Sequence, residues 1–172
     1  MPARINLENI SIVLLGTRIP ENIGAAARAI RNMGIGQLVV VDPQNCDLTK
    51  ICRMATHAAS DVVEQMEVCD TLDEALAGFN FVVGTTARAR TAGRTYTEAR
   101  PMASELVRRT RDGLVAIVFG REDRGLTNEE LKVCNLQLNI PTDEDYSSLN
   151  LAMAVQIVCY EIFLAGSDDR HH

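Results

Sequence analysis

Three short segments combine residue types able to do chemistry, and a fourth concentrates cations. The first runs from Pro20 through Asn22 and Gly24 to Arg28. The second is Phe119, Gly120, Arg121, Glu122, Asp123, Arg124, Gly125 and Leu126. The third starts at Ile140 and Pro141, crosses an acidic stretch from Thr142 to Asp145, and reaches Ser147, Ser148, Leu149, Asn150 and Leu151. Arginine, asparagine, serine and glutamate in such settings can grip an anion, orient a hydroxyl or hold a small polar ligand. The fourth segment carries Arg88, Arg90, Arg94 and Arg100 with Glu98 as its single acid. Arginine's planar fork binds phosphate at two points, which lysine does not; only Lys50 and Lys132 are lysine. Each residue also has a plainer role. Asn22, Ser147 and Ser148 are good helix N-caps, and Gly84, Gly120 and Thr85 are ordinary turn formers.

Several chemistries are excluded. The run from Gly120 to Thr127 has the spacing of a phosphate loop after a strand, but Leu126 replaces the required lysine. Glu122 and Asp123 would also repel phosphate there. Gly34 and Gly36 lie after a helix and before a strand, the wrong context for a dinucleotide fingerprint. No G-x-S-x-G elbow occurs, and Ser148 has no nearby histidine to activate it. The 5 cysteines form no C-x-x-C pair, and His57 is the one internal histidine. Neither a disulfide framework, nor a zinc site, nor any other metal centre is expected.

The elements that must position these segments follow from hydropathy. The chain has 172 residues, 47% hydrophobic and 23% charged, as for one globular domain with a sizeable core. Its net charge of −6 argues globally against a nucleic-acid binder, and only the clustered arginines argue for one. No run is long enough to span a membrane and no secretory pattern opens the chain, so a cytoplasmic protein is expected. Strands are expected at Ile10 to Leu15, Leu38 to Val41, Val62 to Val68, Phe79 to Val83, Leu114 to Phe119 and Leu136 to Ile140. Helices are expected after an Asn22 cap to Met33, from Ile51 to Ala59, from Thr71 to Ala77, from Pro101 to Arg109 and after a Thr127 cap to Lys132. A polar loop should link Thr85 to Arg100. Continuously apolar strands alternating with helices give an α/β fold with a mostly parallel sheet flanked by helices. Ligands bind such sheets at strand carboxyl ends, where the loops after Gly84, Phe119 and Ile140 lie. The last helix, capped by Ser147 and Ser148 and running to Phe163, is apolar nearly all round. A helix without a polar face needs cover from its own domain, a second subunit, or both.

Taken together and in this order, the three segments resemble the motifs of the SPOUT-class, TrmH-like RNA 2′-O-methyltransferases. The wording around Thr85 to Arg90, Phe119 to Leu131 and Tyr146 to Gln156 is most similar to the TrmJ branch, and the resemblance spans Ile10 to Leu164. It implies a C-terminal trefoil knot, a pocket for S-adenosylmethionine (leaving as S-adenosylhomocysteine), no metal, and a homodimer. It implies methylation of the ribose 2′-oxygen of the pyrimidine at tRNA position 32, which opens the anticodon loop. Alternatives are another tRNA position, ribosomal RNA, or a non-catalytic RNA-binding module of the same fold. Carried over residue by residue, Thr85, Thr86, Ala87, Gly120, Ile140, Ser147, Ser148 and Leu149 would bind the cofactor, with Gly120 bare because a side chain would collide with it. Arg28, assisted by Ser148 and Asn22, would act at the 2′-hydroxyl. Arg31, Arg88 and Arg90 would contact RNA, while Glu122 and Asn150 would support the pocket. Proteins of this branch carry a further C-terminal extension that grips tRNA. Residues 1–172 are read as one SPOUT domain without it.

Overall fold

The computed structural model describes residues 4–87 and 93–168. Its framework is a seven-stranded sheet of β1 (Ile10–Leu15), β2 (Gln37–Val41), β3 (Glu67–Cys69), β4 (Phe81–Thr86), β5 (Thr95–Tyr96), β6 (Val115–Phe119) and β7 (Leu136–Asn139). The order is β3-β2-β1-β6-β4-β7-β5, and every pairing is parallel. Two late strands thus lie among earlier ones, β6 between β1 and β4 and β7 between β4 and β5.

The strands are apolar without interruption because both sheet faces are covered. On β1, Ile12 and Leu14 belong to one core cluster while Val13 and Leu15 belong to the other. The larger cluster lies under α1 (Pro20–Met33), α2 (Leu48–Ala55), α3 (Ser60–Gln65), α5 (Ala99–Arg109) and α7 (Leu151–Asp168). The smaller lies under α4 (Leu72–Leu76) and α6 (Asn128–Lys132). Gly24 lets α1 cross α2 closely, since a Cβ there would stand 2.1 Å from the Ile51 carbonyl oxygen.

Several boundaries differ from the sequence reading. No strand spans Val62 to Val68; α3 occupies Ser60–Gln65 and only Glu67–Cys69 pairs. Ala59 and Val63 are buried while Asp61 between them is exposed, which suits a helix rather than a strand, where all three would share one face. The helix expected from Ile51 to Ala59 begins earlier, because the Asp47 carboxylate accepts from the Thr49 and Lys50 N–H groups. It stops at Thr56, whose φ of 61° breaks it, and a 3-10 turn follows at His57–Ala59. Pro20 is itself the first residue of α1, so Asn22 lies inside the first turn and is not its cap. At the last helix the cap is Asn150, not Ser147 or Ser148: its Oδ1 accepts from the N–H groups of Ala152 and Met153 at 2.9 and 3.2 Å. The expected caps at Thr71 and Thr127 form, and Thr127 with Glu130 makes a complete capping box.

The loop expected from Thr85 to Arg100 is shorter, since β4 runs through Thr86, β5 forms an edge strand and α5 starts at Ala99. Two of its arginines are held internally. Arg94 forks onto Glu105 at 2.9 and 2.6 Å, and Arg100 pairs with Glu161 at 3.1 Å. Arg88 and Arg90 fall outside the described residues. Glu105 is buried and also accepts from Tyr96 Oη at 2.5 Å and Arg109 at 3.2 Å. Burial alone would raise its pKa, but the hydrogen bonds of Tyr96, Arg109 and Arg94 outweigh burial and hold it below the usual carboxylate range.

On α7, Leu151, Val155, Val158, Cys159 and Ile162 form the buried stripe, and its chief helical neighbours are α1 and α5. Met153, Ile157, Tyr160 and Phe163 form a second, exposed stripe. No helix of the described residues is long and apolar enough to cross a membrane.

Because the folded pKa of Glu105 is depressed, its stabilisation is complete above the unfolded value of about 4.3 and is lost as pH falls through the lower folded value. Glu105→Gln should therefore lower stability at pH 7 by about 2 kcal/mol. In denaturant titrations the gap to wild type should narrow as pH drops below about 4. A gap independent of pH would contradict the ionised, buried Glu105.

Candidate functional site

The carboxyl ends of β4 and β6 and the segment leading into α7 enclose a cavity of about 530 Å³, within the range of small-molecule sites. Thr85, Thr86 and Ala87 close one side, Ile140 and Ser147 to Leu149 another, and the turn from Gly120 to Leu126 a third. All eight residues expected to bind the cofactor are therefore together. Apolar surface comes from Phe119, Leu126, Leu151 and Ala154. Both serines are exposed, and among the described residues neither hydroxyl has a hydrogen-bond partner. Thr85 differs: its hydroxyl donates to the Val118 carbonyl at 2.9 Å, which pins β4 to β6.

Gly120 has a reason to be bare within the chain itself. A Cβ there would stand 2.1 Å from the Gly125 carbonyl carbon and 2.3 Å from the Leu126 nitrogen. The obstacle is the chain's own returning backbone. Gly125, at φ +66°, makes that return possible.

Asn22 is outside the lining but joined to it. Its Nδ2 donates to Glu122 Oε1 at 3.2 Å, and its Oδ1 accepts from Asn150 Nδ2 at 3.3 Å. Glu122 further accepts from the N–H groups of Arg18 at 3.0 Å and Ile19 at 3.3 Å. It is thus a carboxylate at the positive end of α1, where helix polarity favours an anion. Asn150 meanwhile caps α7. One hydrogen-bonded chain thus runs from the β6 turn through the start of α1 to the start of α7. Asn22 is the link between Glu122 and Asn150, the two residues expected to support the pocket.

Arg28 is exposed on α1 and absent from the cavity lining. Among the described residues nothing pairs with it. Arg31, also on α1, stands 3.5 Å from Asp61 with both side chains more than half exposed. One protomer therefore assembles the cavity but does not bring Arg28 into it. Arg121, Asp123 and Arg124 of the β6 turn also line the cavity. They lie in the second segment singled out from the sequence, which assigns them no role of their own. Among the described residues no group of three or more His, Cys, Asp or Glu side chains is placed to hold a metal ion.

Residues 9–160 match the model of the SpoU rRNA Methylase family. The chain is 48% identical over 159 residues to a Haemophilus influenzae protein described as an uncharacterized tRNA/rRNA methyltransferase, covering 92% of this chain and 64% of that one. It is 46% identical over 165 residues to the tRNA (cytidine/uridine-2'-O-)-methyltransferase TrmJ of Photorhabdus laumondii, covering 92% and 66%. It thus spans about two thirds of the length of these relatives. Among solved structures, a probable methylase family protein from Haemophilus influenzae superposes with TM-score 0.90 at 45% identity, covering 96% of this chain and 70% of that one. The fold also matches the SpoU methyltransferase AviRb of Streptomyces viridochromogenes, solved in complex with the cofactor AdoMet, with TM-score 0.74 at 20% identity over 93% of this chain and 61% of that one.

If the chain from Glu122 to Asn150 is continuous, Asn22→Ala and Asn150→Ala should each cost about 1 kcal/mol. Their double variant should cost less than the sum by about 0.5 kcal/mol or more. Strict additivity in a double-mutant cycle would show that the two side chains do not act together.

Proposed function

The chain belongs to the SpoU rRNA methylase family, and from that premise we propose that it transfers a methyl group from S-adenosylmethionine to a ribose 2′-oxygen of tRNA. The observation that carries the reading is the cavity at the strand ends, with two uncommitted serine hydroxyls on its rim. Its size, mixed polar and apolar lining and hydroxyl-bearing edge suit a nucleoside with a polar amino-acid tail. When bound, the donor supplies a methyl already activated on a sulfonium. Ser147, Ser148, Leu149, Ile140 and the strand end at Thr85 to Ala87 would hold it, with Thr85 contributing main chain because its hydroxyl is engaged. The AdoMet-bound AviRb neighbour and the TrmJ relative support this choice.

The substrate base proposed is the pyrimidine at the start of the anticodon loop, in keeping with the cytidine/uridine naming of the Photorhabdus relative. Arg31, with Arg88 and Arg90, is the proposed RNA contact. Arg28 is proposed to orient the 2′-hydroxyl and stabilise the developing alkoxide. A free guanidinium stays protonated at neutral pH, so an electrostatic part suits it better than that of a base. The proton of the 2′-hydroxyl would leave with help from a neighbour such as an RNA phosphate, which can accept it, or Ser148, which can relay it. Placing the 2′-oxygen in line supplies much of the rate.

The exposed apolar stripe of α7 supports a homodimer. In that assembly Arg28 of one protomer would face the cavity of the other, which accounts for its absence from its own cavity lining. The insertion of β6 and β7 among earlier strands supports a C-terminal segment threaded into a trefoil knot. A cytoplasmic enzyme is in keeping with a tRNA substrate.

Transfer of tritium from labelled S-adenosylmethionine to unmodified tRNA, followed by nucleotide-resolution mapping, tests this. Arg28→Ala should lower kcat about 10²- to 10³-fold and leave donor affinity within about twofold. Calorimetry showing tRNA binding without S-adenosylmethionine binding would favour the non-catalytic alternative. An Arg28→Ala enzyme as active as wild type would remove Arg28 from the chemistry.

A further inference from the structure

The turn from Arg121 to Gly125 forms one wall of the cavity, yet little of its own structure holds it. Its backbone closes on itself through a single pair, Gly125 N–H to the Arg121 carbonyl at 2.8 Å and Arg121 N–H to the Gly125 carbonyl at 3.4 Å. So small a hairpin is not stable alone. Glu122 ties it to the start of α1, and its other anchor is the Arg121 side chain, whose Nη1 and Nη2 fork onto Glu130 Oε1 and Oε2 at 2.9 and 3.0 Å. Nη1 also reaches the Gly125 carbonyl oxygen at 3.4 Å.

Both ends of this strut are themselves fixed. Glu130 Oε1 accepts from the Thr127 N–H at 2.8 Å, and the Thr127 hydroxyl accepts from the Glu130 N–H. The stem of Arg121 passes over the turn after β1, where a Cβ on Gly16 would stand 2.9 Å from Arg121 Cγ and Nε. The side chains of Arg121 and Glu130 are only 17% and 18% exposed. That degree of burial and the bidentate geometry set the pair apart from solvated surface pairs, which contribute little.

We propose that Arg121 is a positioning residue for donor binding: through Glu130 and Gly125 it holds the Glu122 to Leu126 wall in the shape the donor meets. The proposal rests on the donor-binding reading of the cavity. It assigns Arg121 no contact with the donor. With the strut intact the wall is ordered before the donor arrives. Without it, binding must order the wall, and affinity falls by that cost.

Four proteins test this: wild type, Arg121→Gln, Arg121→Lys and Glu130→Gln. Calorimetry with S-adenosylmethionine should show Arg121→Gln weakened about tenfold, or about 1.4 kcal/mol. Its kcat should fall by less than its donor KM rises, and its RNA KM should stay within about twofold. Arg121→Lys should recover only part of the affinity, because lysine offers a point contact rather than a fork. Glu130→Gln keeps a residue able to complete the capping box but loses the ion pair, so it should melt below wild type and, per folded molecule, bind the donor more weakly. Amide exchange at Gly125 should quicken in both glutamine variants. A lowered melting temperature with unchanged donor affinity per folded molecule would show a merely structural Arg121 and overturn the proposal. So would unchanged exchange at Gly125 in Arg121→Gln. If wild type itself binds no donor, the functional reading fails instead. Exchange at Gly125 then decides the strut: faster in the variant supports it, unchanged overturns it.

Discussion

The carboxylate of Glu122 is the constraint on which the site depends. It accepts from two backbone N–H groups ahead of α1 and from the Asn22 side chain. Asn22 in turn accepts from Asn150, which caps α7. Three segments, the first of them 100 or more residues before the other two, are thereby fixed to one another by charge-assisted and amide hydrogen bonds. Such bonds are worth more to or from an ionised group, and leaving one partner unmade costs more than the bond gains. The network therefore specifies one arrangement of strand ends and helix starts rather than adding much to overall stability.

The cavity exists because parallel strands deliver their carboxyl ends to one edge of the sheet, and loops there are free of the core's packing demands. Its walls are of two kinds. The β4 end is rigid, since Thr85 is bonded to β6. The β6 turn is held from outside by Arg121 and Glu130. The segment before α7 leaves its serine hydroxyls uncommitted because Asn150 has taken over the capping of that helix.

The last helix shows how far periodicity reaches. Its lack of a polar face demanded cover, and the fold supplies it on one side only. Leu151, Val155, Val158, Cys159 and Ile162 are buried while Met153, Ile157, Tyr160 and Phe163 stay exposed. The remaining apolar stripe lies on the same helix whose start borders the cavity. In the proposed homodimer, cover over that stripe and completion of the site would be linked.

Much of the architecture was legible because it depends on local pattern. Unbroken apolar runs such as Ile10 to Leu15 and Leu114 to Phe119 marked strands buried on both faces, and the Thr127 capping box lies within four residues. The motif residues lining the cavity were recognisable by type and order. The errors arose where two local patterns competed. Val62 and Val63 are good strand formers, but Ala59 and Val63 are buried with Asp61 exposed between them, a helical pattern. Asn22 suits a cap but serves as a bridge, and the capping of α7 falls to Asn150 rather than the serines. What chain order could not give was pairing across long separations: Glu122 with Asn22, Asn22 with Asn150, Arg121 lying over Gly16. Those contacts follow from strand order, with β6 set between β1 and β4, and no local periodicity encodes which strands become neighbours. The composition and spacing of this chain fix what its segments can be, and the burial of the sheet between two helical layers fixes which of them meet.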